Sequence, residues 1–274
     1  MQTNLKIAFI GGGNMAQALI SGLADKLLPA NHIHVVDVHA ETLRTLEKKW
    51  SVTTAAAVGA EVSAADVIVL AVKPQQMHEV ATSIAPSIKN QLILSIAAGI
   101  RADDLSRWLG GHQAIVRAMP NTPALIGQGI TGMLALAGVS DQQRAVADTI
   151  SQAVGQTVWL DAEAQIDAVT AVSGSGPAYV FYFLEAMQQA AVELGLSAEQ
   201  GRNLAQATFL GAAALATASD ESLVTLRERV TSKGGTTYAA LTSMNDDAVQ
   251  AAIIKALKAA AQRGAELGKE FGQS

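Results

Sequence analysis

The chain has 274 residues, half of them apolar, and a net charge of -5, enough for two domains with a substantial core. Its 19 lysines and arginines are scattered without a basic stripe, which disfavours nucleic acid as a partner. Its long uncharged spans are broken by Gly-Ser-Gly-Pro or diluted with Gln, Thr and Ala, which disfavours a membrane span. The absence of cysteine excludes disulfides and thiolate chemistry and suits a cytoplasmic location, and from the immediate entry into a strand no signal peptide is expected.

Lys6 to Ile10 reads as a buried strand running directly into Gly11-Gly12-Gly13-Asn14-Met15-Ala16. Gly11, Gly13 and Ala16 fit G-x-G-x-x-G/A: a tight turn, a close backbone approach to a pyrophosphate, and a small residue where helix and strand pack. The helix N-terminus then offers unpaired N–H groups and partial positive charge to phosphate. A bare strand-to-helix loop would look similar, but the next strand, 31–36, ends in Asp37, 24 residues beyond Gly13, where a carboxylate meets the adenosine ribose.

Residues 40–50 have helical spacing, and 66–72 is a continuous apolar run expected to be a strand buried on both faces. Pro74 stops it, so Val72, Lys73 and Pro74 fall at the carboxyl edge of the sheet, where ligands bind in open α/β folds. Lys73 reads as a solvated lysine whose backbone matters more than its charge. Residues 91–96 form the next strand, followed by the small turn Ala97-Ala98-Gly99, and 114–118 another, running into Met119-Pro120-Asn121-Thr122-Pro123. That stiff loop is either a site element or an ordinary turn. Residues 131–136, a helix over 141–154 and a strand at 157–160 complete a mostly parallel, doubly wound sheet. His32 and His34 share a face of the second strand without a third ligand at zinc spacing, and no metal site is expected.

Strand signals then cease, placing a dinucleotide-binding Rossmann-type domain at 1–160 and an all-helical domain at 161–274. A helix over 162–172 is expected to be interrupted by Ser173-Gly174-Ser175-Gly176-Pro177 and to restart over 178–194. That second helix and the one over 198–218, where Gly201 and Gly211 allow close approach, are hard to bury within one subunit, the alternative being a self-contained small bundle. A homo-oligomer, at least a dimer through this half, is expected. Last, Ser232-Lys233-Gly234-Gly235-Thr236-Thr237 opens a helix with backbone N–H groups and hydroxyls suited to an anion.

Together, Ile10–Ala16, Ala71–Pro74, Ser95–Gly99, Arg117–Pro123, Val172–Tyr179 and Val230–Thr237 resemble the pyrroline-5-carboxylate reductases, which make proline in the last step of its synthesis. The resemblance implies that Gly11 to Ala16, Val72 to Pro74, Ala97 and Asn121 line a nicotinamide cofactor. It implies that Ser232, Gly235, Thr236 and Thr237 hold a cyclic imino acid, with Ser175 close to the nicotinamide. Two positions depart from the family pattern. Lys233 stands where the family usually has proline, and Asp37 stands where small polar or arginine-bearing turns suit NADPH. By the ribose rule Asp37 favours NADH, His39 and Arg44 can offset it, and both cofactors stay open.

A protonated imine is already an electrophile, so alignment matters more than acid–base power, in keeping with the absence of a His-Asp or Lys-Glu constellation. Thr237 would hydrogen-bond the ring nitrogen as proton donor or as orienter. Two other readings are a β-hydroxyacid-type dehydrogenase with Lys233 as its acid, and a nucleotide sensor that binds no second ligand. Imine-dependent oxidation of NAD(P)H separates them.

Overall fold

The computed structural model describes residues 4–273. They divide into a first compact unit, which runs through Ser175 and takes up the chain again from Ala260, and a second, Gly176–Ala259.

The first unit is built on one eight-stranded sheet: β1 (Ile7–Ile10), β2 (Ile33–Val36), β3 (Thr53–Ala55), β4 (Val67–Leu70), β5 (Leu92–Ser95), β6 (Ile115–Met119), β7 (Gly129–Ala135) and β8 (Gly155–Trp159), in the order β3-β2-β1-β4-β5-β6-β7-β8. Helices α1 (Asn14–Leu23), α2 (Ala40–Trp50), α3 (Ala60–Ser63), α4 (Met77–Ile84), α5 (Ala102–Trp108), α6 (Asp141–Gln152) and α7 (Glu163–Val169) connect or follow the strands. Successive residues of a strand point to opposite faces. Ile7 and Phe9 accordingly join one core with Leu19, Ile20, Leu23, Leu46 and Ile150 from α1, α2 and α6, while Ala8 and Ile10 join the other with Val62, Met77, Ile84 and Leu105 from α3, α4 and α5. Each fully buried large side chain contributes about 1.5–3 kcal/mol, which makes the central strands a stiff base for the loops at their carboxyl ends.

All strand pairs are parallel except β6–β7. The link between those two strands holds only the 3-10 helix Thr122–Ile126, too short for a parallel crossover. Sequence reasoning missed β3, which is only three residues long and whose residues are exposed or half-buried, so it carries no apolar run. The second strand is shorter than expected: Ala30–His32 is a 3-10 turn, and β2 begins at Ile33. His32 and His34 therefore do not share a strand face. The His34 imidazole bonds Thr53 Oγ1 through Nδ1 at 2.9 Å, and burial pushes its pKa below the ordinary value, with Glu61 partly opposing.

The expected break after Val172 is a different feature. The chain passes from α7 through a π turn, Thr170–Gly174, and a bend at Ser175 into α8, Gly176–Glu193. In the second unit, α8 and α9 (Ala198–Thr217) form an antiparallel hairpin: Gly201 lies against Ala191 and Gln188, and the rings of Phe183 and Phe209 are 6.4 Å apart. A Cβ on Gly201 would come within 2.8 Å of Ala191, whereas one on Gly211 would meet nothing within 4 Å among the described residues, so only Gly201 makes the expected close approach. α10 (Leu223–Arg229) and α11 (Thr236–Asp246) follow. The last helix, α12 (Val249–Gly272), went unread in the sequence. Its final turns pack on the β5–α5 region, with Phe271 against Gly99 and the Gly272 carbonyl accepting from Arg107 Nη2 at 2.7 Å.

Candidate active site

The strand order reverses direction between β1 and β4, and the loops that leave these two strands part there to open a crevice. The Gly11 N–H donates to the Val36 carbonyl at 2.8 Å and the Ala71 N–H to Ile10 at 2.8 Å, so the turn is fastened to both neighbouring strands. Gly11 has φ +101°, and a Cβ there would lie 2.7 Å from the Ala71 carbonyl oxygen. Only glycine accepts both conditions. A Cβ on Gly13 would meet nothing within 4 Å, so the space above it is open. Gly13 caps α1 without a side-chain bond, which leaves the first-turn N–H groups for a ligand.

Asp37 closes on this turn. Its Oδ2 accepts the Gly12 N–H at 2.7 Å, and its Oδ1 accepts the His39 N–H at 2.8 Å and stands 2.8 Å from His39 Nδ1. Burial pushes the carboxyl up, but the two N–H groups and the imidazole outweigh it and hold Asp37 below the ordinary carboxylate value.

Gly11, Gly13, Asp37, Val72 and Lys73 line one cleft of ≈ 360 Å³. His39, Thr42 and the Ala56–Val58 turn line it too; the last follows β3 and was hidden with it. Lys73 is exposed, as expected of a solvated lysine, and Pro74 opens a 3-10 turn, Pro74–Gln76. Asn14 and Met15 begin α1, and Ala16 is buried beneath the turn, where its small side chain lets helix and strand approach. Ala97 is buried just past β5. Asn121 is only 8% exposed, and both ends of its carboxamide are engaged by the protein: Oδ1 accepts the Ile130 N–H at 2.9 Å and Nδ2 donates to the Ser173 carbonyl at 3.2 Å.

Ser175 is the last residue of the first unit's opening stretch, and its N–H donates to the Thr170 carbonyl at 2.8 Å, the five-residue spacing of the π turn. In the second unit, Gly234 has φ +72°, the Gly235 N–H donates to Ser232 at 3.0 Å, and Gly235 caps α11 without a side-chain bond. Thr236 and Thr237 thus stand in the first turn of a helix whose N–H groups are open, and Thr237 is half-buried.

A glycine turn opening a helix at the switch point of a doubly wound sheet, with a carboxylate closing on it, defines a dinucleotide-binding protein of Rossmann type. The pyrroline-5-carboxylate reductase of Pseudomonas aeruginosa is 48% identical over 98% of each chain. The chain belongs to the pyrroline-5-carboxylate reductase family. The family model described as pyrroline-5-carboxylate reductase dimerisation matches residues 163–267, and that described as NADP oxidoreductase, coenzyme F420-dependent, matches residues 6–99. The structure of a pyrroline-5-carboxylate reductase from Coxiella burnetii superposes with a TM-score of 0.91 at 40% identity, covering 96% of this chain and 98% of that one. The Plasmodium falciparum pyrroline carboxylate reductase, crystallised with NADP bound, gives 0.87 at 28% identity, covering 98% and 100%.

Proposed function

We infer that this chain reduces the C=N bond of 1-pyrroline-5-carboxylate to give L-proline, the last step of proline biosynthesis, with NADPH or NADH as the hydride donor. The observation that carries this reading is the 48% identity along 98% of both chains with the Pseudomonas aeruginosa reductase.

The residues present fit a dinucleotide. The open space over Gly13 and the uncapped start of α1 suit a pyrophosphate, and Asp37 suits a ribose hydroxyl. Gly11, Asn14, Met15, Ala16, Val72, Lys73, Pro74 and Ala97 complete the proposed cofactor set. When bound, the reduced nicotinamide supplies a hydride; the imine carbon accepts it and the ring nitrogen becomes a secondary amine. Ser232, Gly235 and Thr236 seat the substrate carboxylate against the N-terminus of α11. Thr237 bonds the ring nitrogen, as orienter or proton donor, and Ser175 lies by the reacting ring. In this reading 1–160 serves the dinucleotide, and 161–274 serves the substrate and self-association.

Self-association has physical support beyond the family match. Among the described residues of the second unit only Gly201 and Ala205 are buried within the single chain, while Tyr182 is 72% and Leu210 69% exposed. Apolar area on this scale marks an interface between copies. No helix among the described residues is long and apolar enough to cross a membrane. A cysteine-free composition supports reading the enzyme as cytoplasmic.

The test is loss of NAD(P)H absorbance dependent on the cyclic imine. Turnover with the imine is expected, and its absence with both cofactors overturns the assignment. Sedimentation is expected to give a multiple of the chain mass; a monomer at micromolar concentration refutes the interface.

A further inference from the structure

We propose that Asn121 is a positioning residue of this reduction: its carboxamide fixes the π turn that carries Ser175, and it makes no contact with the cofactor. The proposal rests on the reading above in one respect, that Ser175 lies by the reacting ring.

Ser173 needs an outside donor. In an unbroken α-helix its carbonyl would take the N–H four residues on, and residue 177 is proline, which has none. Asn121 Nδ2 supplies a donor at 3.2 Å, while Oδ1 of the same amide accepts the Ile130 N–H at 2.9 Å. One buried side chain thereby joins the exit of β6, the start of β7 and the π turn.

The amide cannot serve in the reverse orientation, because that would set donor against donor at Ile130 and acceptor against acceptor at Ser173. Side chains also pack closely on both sides of the turn. A Cβ on Gly132 would lie 2.8 Å from Val169 Cγ1, and one on Gly174 would lie 2.7 Å from Met119 Cε. Ser173 Oγ is itself used, donating to the Val169 carbonyl at 3.0 Å. A hydrogen bond that places a turn at a closed site acts on the reacting geometry, where small displacements are expensive in rate.

The experiment compares the full-length enzyme with Asn121→Asp and Asn121→Ser. The aspartate is nearly isosteric and keeps the acceptor for Ile130, but turns an acceptor toward the Ser173 carbonyl. Steady-state kinetics are measured in both substrates, NADPH affinity by nucleotide fluorescence without imine, and Tm alongside. Expected is a fall of roughly ten- to hundredfold in kcat/KM for the imine, with Kd for NADPH held within about twofold. A Kd that weakens as much as kcat/KM would make Asn121 a cofactor contact, and unchanged kinetics would make the bridge idle; either overturns the proposal. If both variants unfold, Asn121 is a stability residue and the proposal falls. Absence of imine turnover in the unaltered enzyme strikes the functional reading itself, a separate outcome.

Discussion

Arg117 and Glu163 form an ion pair that ties the middle of β6 to the first turn of α7. The arginine side chain is 3% exposed and the glutamate 31%, and Glu163 Oε1 also accepts the Ala102 N–H at 3.4 Å. The pair anchors the start of the segment whose far end Asn121 holds.

Removing one partner of a fully buried pair costs about 3–5 kcal/mol; with Glu163 partly exposed, Glu163→Gln or Arg117→Met is expected to cost about 2–3 kcal/mol. The exposed Arg263–Glu266 pair, by contrast, is expected to contribute below about 1 kcal/mol. Urea midpoints at constant m-value read both. An unchanged midpoint in Arg117→Met would show that the pair holds nothing.

Two glycines of one turn are expected to behave differently. Gly11→Ala forces a left-handed residue and a clash with Ala71, so it should lower both Tm and nucleotide affinity. Gly13→Ala meets no protein atom and should fold normally while losing NADPH binding, because its methyl fills the space a pyrophosphate needs. Normal NADPH affinity in Gly13→Ala would remove the phosphates from this turn.

Asp37 is expected to set the balance of cofactors. Asp37→Asn keeps an acceptor for the Gly12 N–H and removes the charge that repels a 2′-phosphate. The ratio of kcat/KM for NADPH over NADH is expected to rise at least about tenfold, the effect of roughly 1.4 kcal/mol of relieved repulsion. A ratio that does not move would place the 2′-position elsewhere.

The Thr237 hydroxyl has no hydrogen-bond partner among the described residues, which suits the substrate role proposed for it. Thr237→Ala is expected to lower kcat/KM for the imine by roughly ten- to a thousandfold with Tm unchanged. Unchanged kinetics would take Thr237 out of the mechanism.

Stability should fall on acidification in two windows. His34 has a folded pKa below its ordinary 6.5, so the unfolded chain takes the proton first. The loss begins as pH drops through 6.5. Asp37 also has a lowered folded pKa, so its contribution is complete above 3.8 and disappears as pH falls through the lowered folded value. In Tm measured against pH, His34→Gln should flatten the upper limb and Asp37→Asn the lower one. Persistence of the upper slope in His34→Gln would assign it to another group.

By itself the sequence determined the features that are written locally. β1, β4 and β5 are runs of apolar residues because both faces of the sheet are covered, and Gly11 to Ala16 announce their turn because backbone geometry admits few other residues there. Tertiary structure alone decided the rest. The edge strand β3 is held by pairing with β2 rather than by its own hydrophobicity, and β7 runs antiparallel because its connection is short. From its own residues the Asn121 loop is either a site element or an ordinary turn, and only folding brings the Asn121 amide to Ile130 and Ser173, residues 9 and 52 positions away. A side chain's chemistry is set by its own atoms, but its role is set by which unpaired donors and acceptors folding brings beside it.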